Sequence, residues 1–192
     1  NPMCGSGTLA IEAALLATNR RPGLLRKNYA YMHFLGYDES VHRKEMEILK
    51  HQIREVPALV IVASDNREDA ISISKVNAGI AGVEHFIRFQ VCDFEETTLP
   101  EEGPGVIYFN PEYGERLGEI STLENTYAAI GDFLKKKCQG YMGYVFTANL
   151  DLAKKIGLKA SRRIEFYTAK LDCRLLEFEM YTGTRRTDKI IK

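Results

Sequence analysis

The sequence begins Asn1-Pro2-Met3-Cys4-Gly5-Ser6-Gly7-Thr8 and runs directly into the Ala- and Leu-rich residues 9–17. A Gly-x-Gly turn that feeds a helix is typical of nucleotide-binding loops, because glycine tolerates a positive φ and a close ligand. The helix N-terminus offers unpaired N–H groups to a carboxylate or a phosphate. The third glycine of the dinucleotide fingerprint and the Gly-Lys-Ser/Thr of a P-loop are absent, which favours S-adenosylmethionine over a dinucleotide or ATP. An ordinary glycine turn explains the same residues equally well.

The rest of the chain alternates apolar runs with helical patterns, as an α/β protein does. A loop of this kind normally follows a strand, so we expect the first strand to be missing and the domain to be truncated at its N-terminus. We predict one Rossmann-like α/β domain over residues 1–192, with a mostly parallel doubly wound sheet and a C-terminal antiparallel hairpin. The predicted strands are 58–63, 86–91, 106–109, 141–147, 163–170 and 175–181, and the predicted later helices are 68–81, 122–137 and 152–156.

Polar side chains stand where three of the predicted strands end. These are Asp65, Asp93 and Asn110. In open parallel sheets the ligand crevice lies at the carboxyl ends of the strands. Asp65 could therefore bind two ribose hydroxyls, and Asp93 could accept a hydrogen bond from an adenine amino group. For either acid, an N-cap of the following helix or turn is an equal alternative.

Asn110-Pro111-Glu112-Tyr113 follows the predicted strand 106–109 and suits the binding of a planar base. The amide oxygen of Asn110 and the carbonyl of Pro111 can both accept hydrogen bonds from an exocyclic NH2 group. Stacking of a base on Tyr113 would contribute about 1–3 kcal/mol. Asn-Pro is also an ordinary turn starter, so the motif alone is a weak signal.

Composition excludes several classes of protein. The 192 residues contain 26 Lys plus Arg and 26 Asp plus Glu, a formal net charge of zero, which argues against a strong independent polyanion binder. The four cysteines and four histidines show no metal-ligand spacing, and no apolar run has membrane length. We therefore expect a reduced, cytoplasmic, metal-free protein, and we interpret the basic pairs as mainly solvated surface charge.

Residues 19–37 are basic and dotted with aromatic side chains. They could form a loop that closes over a site, or a hydrophobic anchor for the next helix. The charged and apolar pattern of residues 39–55 predicts that helix to be amphipathic and exposed. We favour the anchor for most of the aromatic residues.

Taken together, these motifs resemble the class I, S-adenosylmethionine-dependent RNA methyltransferases. The closest group is the guanine-N2 methyltransferase domain of the UPF0020 family, which modifies large-subunit ribosomal RNA. The likeness covers essentially the whole chain, and its most specific string runs from Asn110 to Arg116. It implies S-adenosylmethionine as cofactor, RNA as partner, a role in rRNA processing, and an upstream RNA-binding THUMP domain in the full-length protein. It assigns the cofactor site to Asn1, Met3, Gly5, Gly7, Asp65, Asn66, Asp93 and Phe94, and the flipped base to Asn110, Pro111 and Tyr113.

Two positions depart from the family pattern. The family typically has Asp where this chain has Asn1, which removes a carboxylate that could meet the ammonium group of the cofactor. It also has a second proline where this chain has Glu112. Proline fixes φ and restricts the preceding residue, so we expect Glu112 to loosen the loop and to add a charge near the substrate. Both acceptors on Asn110 and Pro111 remain.

The resulting hypothesis is direct methyl transfer to the N2 amine of a guanine in rRNA, with the protein supplying position and electrostatics. Two alternatives stay open. An Asn-Pro-x-Tyr loop would serve the N6 amine of adenine in DNA equally well, although the extension through Arg116 favours the RNA group. The domain could also be a degenerate one that binds cofactor or RNA without turnover.

Overall fold

The computed structural model describes residues 1–100, 103–114, 120–168 and 171–181. The chain divides into two compact units, Asn1–Thr98 and Leu99–Lys192. Each unit carries helices and a sheet of its own. The expectation of a single domain over residues 1–192 stays a prediction.

The first unit contains α1 (Thr8–Ala17), α2 (Glu39–His51), β1 (Ile61–Asp65), α3 (Glu68–Ala81) and β2 (Ile87–Val91). The two strands are parallel, with Ile61 opposite Ile87 and Asp65 opposite Val91. Short 3₁₀ turns occupy Ala30–His33, Glu84–Phe86 and Phe94–Glu96. The parallel pairing places the carboxyl ends of β1 and β2 side by side.

The first residues of the chain lie along β1. Pro2 forms a parallel bridge with Ser64. Ser64 N donates to Asn1 O at 3.2 Å, and Cys4 N donates to Ser64 O at 2.9 Å. The glycine turn therefore begins where a strand-like pairing with β1 ends, as the nucleotide-loop interpretation requires.

The core of the first unit lies between α1, α3 and the two strands. α1 approaches closely because Ala10 and Ala14 face inward, at 2% and 0% exposure. Full burial of an aliphatic side chain such as Ile71 or Leu15 contributes about 1.5–3 kcal/mol. The buried cluster also includes Ile11, Ala63, Ala78, Val83 and Ile87.

The second unit contains β3 (Val106–Phe109), α4 (Ile120–Lys137), β4 (Met142–Thr147), α5 (Leu150–Lys155), β5 (Arg162–Thr168) and β6 (Leu171–Glu179). Its sheet has the order β3-β4-β6-β5. β3 and β4 are parallel, whereas β6 is antiparallel to both β4 and β5. Its fully buried residues include Phe109, Tyr127, Ile130, Leu134 and Val145.

The fold class predicted from the sequence is confirmed, and α3 and β3 have the predicted bounds. The strand predicted at 58–63 was placed too early. Leu59 N donates to Val56 O in a turn around Pro57, so the strand begins at Ile61. The helix predicted to reach residue 55 ends at His51, because Arg54 N donates to Thr18 O instead of continuing the helix.

The C-terminal hairpin is confirmed as an antiparallel pair, but β6 begins at Leu171 and not at residue 175. Residues 169–170, which the prediction included in the first hairpin strand, lie outside the described residues.

Candidate functional site

The glycine loop before α1 has three residues with positive φ. They are Met3 at 58°, Gly5 at 55° and Gly7 at 85°. A Cβ on Gly5 would meet no atom within 4 Å, so this face of the loop is open. A Cβ on Gly7 would overlap Ser74 Oγ on α3. Gly5 therefore leaves room for a ligand, whereas Gly7 is required for close packing of the loop on α3.

Asp65, at the end of β1, holds the glycine loop. Gly5 N donates to Asp65 Oδ2 at 2.9 Å, and Arg67 N donates to Oδ1 at 3.1 Å. Its backbone oxygen accepts from Cys92 N at 3.0 Å, which joins the ends of β1 and β2. Each carboxylate oxygen can accept a second hydrogen bond, so the fixed Asp65 can also receive ligand hydroxyls.

Asp93 lies two residues after Val91, the last residue of β2. Because Val91 is opposite Asp65 in the register of β1 and β2, the two acids lie at neighbouring strand ends. Its Oδ1 accepts from Glu95 N at 2.9 Å and caps the turn Phe94–Glu96. Phe94 is buried under this turn, and Asn66 is exposed directly after Asp65. The structure thus brings the predicted acids to one edge and shows the capping role for Asp93, while its adenine contact stays a prediction.

Contacts from α3 position the start of α1. Asn77 Nδ2 donates to Ser6 O at 2.9 Å, and Ser6 Oγ lies 3.3 Å from Thr8 Oγ1. Gly7 caps α1 without any side-chain hydrogen bond, and the first turn contains no acidic residue. The first turn of α1 can therefore stabilise a negatively charged ligand group.

In the second unit, Asn110 and Tyr113 are joined by a hydrogen bond. Tyr113 Oη donates to Asn110 Oδ1 at 2.6 Å. Asn110 is exposed and the ring of Pro111 is buried. Among the described residues, no hydrogen bond is formed to the Pro111 carbonyl. The amide of Asn110 is thus oriented by Tyr113 and keeps one lone pair on Oδ1, which the sequence did not indicate.

A chain of hydrogen bonds supports this loop from the core. Asn149 N donates to Thr147 Oγ1 at 3.0 Å, and Thr147 Oγ1 lies 2.8 Å from Tyr127 Oη. Tyr127 Oη donates to the Glu112 carbonyl at 3.2 Å, and Asn149 Nδ2 donates to the Tyr113 carbonyl at 3.1 Å. These residues were not predicted from the sequence, although Thr147 and Asn149 lie at a strand end as Asp65 does.

Both tyrosine hydroxyls of this network stay protonated at neutral pH. Burial raises the pKa of Tyr127 to about 12. Burial also raises the pKa of Tyr113 to about 12, with smaller contributions from Cys173, Tyr127 and Tyr108. Both hydroxyls therefore act as neutral hydrogen-bond donors.

A row of aromatic rings lies beside the loop. Tyr113 and Phe146 are in edge contact, with ring centroids 6.3 Å apart. Phe146 and Phe166 are also in edge contact, at 5.8 Å. Phe166 is 44% exposed. The second unit thus offers apolar ring surface next to the two acceptors.

The anchor predicted within residues 19–37 is confirmed for three tyrosines. Tyr29, Tyr31 and Tyr37 each lie about 6 Å from the ring of His42 on α2. Phe34 is 70% exposed and does not serve as an anchor.

The remaining features of the described residues contribute no further site. No group of three His, Cys, Asp or Glu side chains in this part of the chain could hold a metal ion. No described helix is long and apolar enough to span a bilayer. A surface depression of about 710 Å³ follows α2 and contains none of the predicted site residues. Glu115 and Arg116, the end of the specific family string, lie outside the described residues, as does the basic pair Arg185-Arg186.

Comparison with known proteins identifies the family. The UPF0020 model, described as the RMKL-like methyltransferase domain, matches residues 1–177. A relative from Syntrophotalea carbinolica, named ribosomal RNA large subunit methyltransferase K/L, is 36% identical over 187 residues. The match covers 94% of this chain and 26% of the relative, so the chain spans about a quarter of that protein.

Solved structures share the fold. The crystal structure of SMU.472 complexed with SAH has a TM-score of 0.85 and 25% identity, and the match covers 95% of this chain and 48% of that one. A structure from Listeria monocytogenes, described as a predicted N6-adenine-specific DNA methylase, has a TM-score of 0.82 and 28% identity, over 96% of this chain and 46% of that one. The fold is that of a Rossmann-like methyltransferase.

Proposed function

Because this chain belongs to the UPF0020 family of RMKL-like methyltransferase domains, we propose that it transfers a methyl group from S-adenosylmethionine to the N2 amine of a guanine in large-subunit ribosomal RNA. The observation that carries the proposal is the pair of acceptors on Asn110 and Pro111, held on a buried hydrogen-bond network. The name of the Syntrophotalea relative supports rRNA as the substrate.

The first unit fits the cofactor. The loop is open at Gly5, the first turn of α1 carries no side-chain cap, and Asp65 and Asp93 stand at adjacent strand ends. Gly5 and α1 would hold the carboxylate end, Asp65 the ribose and Asp93 the adenine, with Met3, Asn66 and Phe94 lining the site. The SAH complex of a structure with the same fold supports this assignment. When bound, the cofactor supplies an electrophilic methyl group.

The second unit would bind the guanine. Asn110 Oδ1 and the Pro111 carbonyl accept hydrogen bonds from the exocyclic amine and orient its lone pair. The new N–C bond would form as the bond between the cofactor methyl group and the sulfonium sulfur breaks, which leaves a neutral thioether as the leaving group. Positive charge then grows on the nitrogen, and these two oxygens stabilise it. The methylated nitrogen then releases a proton to water, so no strong base is needed. Tyr113 fixes the amide through its hydroxyl and offers its ring to the base.

The departure at Glu112 is compatible with this role. Its side chain is exposed, and its carbonyl accepts a hydrogen bond from Tyr127 at 3.2 Å. A proline at this position would present the same carbonyl, so Glu112 keeps this hydrogen bond to the core and loses only the restriction that proline places on φ.

A second candidate is methylation of the N6 amine of adenine in DNA. The description of the Listeria structure favours it. The same two acceptors would bind that amine. The choice between RNA guanine and DNA adenine depends on which substrate the protein binds, because the methyl transfer to the amine is the same reaction in both.

Calorimetric titration with S-adenosylmethionine tests the cofactor assignment. We expect binding by the wild-type chain and its loss in Asp65→Ala, because this change releases Gly5 and removes the ribose acceptor. Asp69→Ala, a neighbouring exposed acid on α3, is the matched control and should bind normally. Equal binding by wild type and Asp65→Ala contradicts the assignment.

Methyl transfer is then measured on an rRNA fragment and on an adenine-containing DNA duplex. Transfer to RNA guanine is expected, with loss in Asn110→Ala and retention in Asn125→Ala, an exposed asparagine on α4. Transfer to DNA adenine alone would favour the second candidate. Cofactor binding without transfer to either substrate would identify a degenerate domain.

A further inference from the structure

Residues 19–37 carry an unusual charge for this chain. They contain four basic residues and no acidic one, within a protein whose formal net charge is zero. The basic residues are Arg20, Arg21, Arg26 and Lys27. A local excess of positive charge attracts a polyanion even where the whole domain is neutral. The surface therefore complements a phosphate backbone.

The same segment exposes a built aromatic platform. Tyr29 and Tyr31 are stacked, with ring centroids 5.2 Å apart and planes 20° from parallel. The guanidinium of Arg26 lies over the Tyr29 ring, 5.4 Å from its centroid. Tyr31 is 44% and Phe34 70% exposed, and Leu35 is fully exposed. Rings of this kind, set beside guanidinium groups, are the platforms on which unpaired bases stack.

The platform is held in place by the rest of the first unit. Tyr31 Oη and His42 Nδ1 lie 2.9 Å apart, and Tyr29 Oη donates to the Gly23 carbonyl. Where the segment rejoins the unit, Asn19 Nδ2 donates to the Gln52 carbonyl at 3.0 Å. The rings are thus ordered by contacts that leave Tyr31 and Phe34 partly exposed. A preorganised platform loses less conformational entropy on binding than a disordered one.

We propose that this basic aromatic surface, formed by Arg26, Lys27, Tyr29, Tyr31 and Phe34, binds single-stranded RNA. Bases stack on Tyr31 and Phe34, while Arg26 and Lys27 contact phosphates. Charge favours RNA over an apolar protein segment as the occupant, because the segment that carries the exposed rings contains four cations and no acid. The surface lies apart from the predicted base and cofactor residues in sequence. It increases the affinity of the protein for its RNA substrate. The choice of RNA rests on the proposed function.

The test is fluorescence anisotropy with a labelled single-stranded 12-nucleotide RNA, titrated with the 192-residue chain at several salt concentrations. We expect Tyr31→Ala to weaken binding about tenfold, as the loss of one stacked base does. Tyr31→Phe keeps the ring and should bind within about twofold of wild type. This comparison separates stacking from the hydrogen bond to His42.

The charge contribution is measured with Arg26→Ala/Lys27→Ala. Removal of two phosphate contacts should reduce the slope of log K against log salt by about 1.4. Lys75→Ala, an exposed lysine on α3 of the same unit, is the control and should leave the slope at the wild-type value. S-adenosylmethionine affinity should be unchanged in all these variants, since none of the substituted residues belongs to the glycine loop or to the acids assigned to the cofactor.

Three results would overturn the inference: no RNA binding by wild type, equal binding by wild type and Tyr31→Ala, or equal losses in Tyr31→Ala and Tyr31→Phe. Tighter binding of an apolar peptide than of RNA would assign the surface to a protein partner. The inference and the proposed function fail separately. RNA binding that depends on Tyr31 without methyl transfer refutes only the function, and methyl transfer that is insensitive to Tyr31 refutes only the surface.

Discussion

Substitution of Tyr127 by phenylalanine removes one hydroxyl from the network under the Asn110 loop. The distances are consistent with a directional chain in which Asn149 N–H donates to Thr147, Thr147 donates to Tyr127, and Tyr127 donates to the Glu112 carbonyl. Phenylalanine fills the same space, so the packing of this fully buried ring is kept. The change therefore isolates the hydrogen bonds.

Two polar groups lose a hydrogen bond in this variant. The Glu112 carbonyl loses its donor, and the Thr147 hydroxyl, which is 0% exposed, loses Tyr127 and keeps only its contacts with Asn149. An unsatisfied buried group costs about 1–3 kcal/mol, which we expect as the loss in the free energy of unfolding. Methyl transfer should fall more steeply, by about 10- to 100-fold, because a displacement near 1 Å at a reacting group has effects of this size.

Urea unfolding measures the stability and single-turnover methylation of RNA measures the transfer step. Affinity for S-adenosylmethionine should be unchanged, because the residues assigned to the cofactor belong to the first unit. Tyr144→Phe is the matched control. It removes a hydroxyl that donates to Glu177 and not to the loop, and it should leave methyl transfer unaltered. A supporting role of the Tyr127 hydroxyl is excluded if Tyr127→Phe changes neither unfolding nor transfer, or if cofactor affinity falls in parallel with transfer.

Three further predictions concern stability, the cofactor and pH. Gly7→Ala should destabilise the first unit by about 2–4 kcal/mol in urea unfolding, because the φ of residue 7 is positive and the new Cβ overlaps Ser74. In a double-mutant cycle, Ser74→Gly should recover part of this loss of stability. Strict additivity of the two changes would contradict the overlap. Asp65→Asn preserves the size of the side chain but places an N–H group or a weaker acceptor opposite Gly5 N. Cofactor affinity measured by calorimetry should therefore fall about tenfold or more. Unchanged affinity would refute the role of Asp65 in cofactor binding. The pKa of Tyr127 is raised from 10 to about 12, so its contribution to stability is full below pH 10 and is lost as pH rises through 12. Tyr127 should thus contribute about 1.4 kcal/mol per pH unit to the fall in the free energy of unfolding in this window, in addition to the contribution of Tyr113, whose pKa is also raised to about 12. The fall should be smaller in Tyr127→Phe, and an equal fall in both proteins would contradict the assignment.

Much of the fold was predictable because its signals are local. α3 begins after Arg67 with two acids in its first turn and ends at Gly82 in the left-handed conformation, which is the pattern of a helix start and stop. β3 is a short apolar run closed by Asn110-Pro111. The error at β1 has an equally local cause, since Pro57 turns the chain and delays the strand by three residues.

The supporting contacts of the sites were not predictable, because they join residues that are distant in sequence. Gly7 is adjacent to Ser74 only after α3 has packed on the loop. The sequence indicates only that Tyr127 is an apolar position of the helix. The role of its hydroxyl is visible only in the structure, where it donates a hydrogen bond to the Glu112 carbonyl. From the sequence, Asp93 is either the N-cap of the following turn or a ligand of adenine, and the structure shows the N-cap.

The proposed function requires that Asn110 and Pro111 bind a guanine amine of RNA. Its most direct test is mass spectrometry of nucleosides from rRNA incubated with the chain and methyl-labelled S-adenosylmethionine. We expect label on the N2 amine of guanosine, and its loss when Asn110 is replaced by alanine. Label on adenosine alone, or label on guanosine that survives Asn110→Ala, would contradict it.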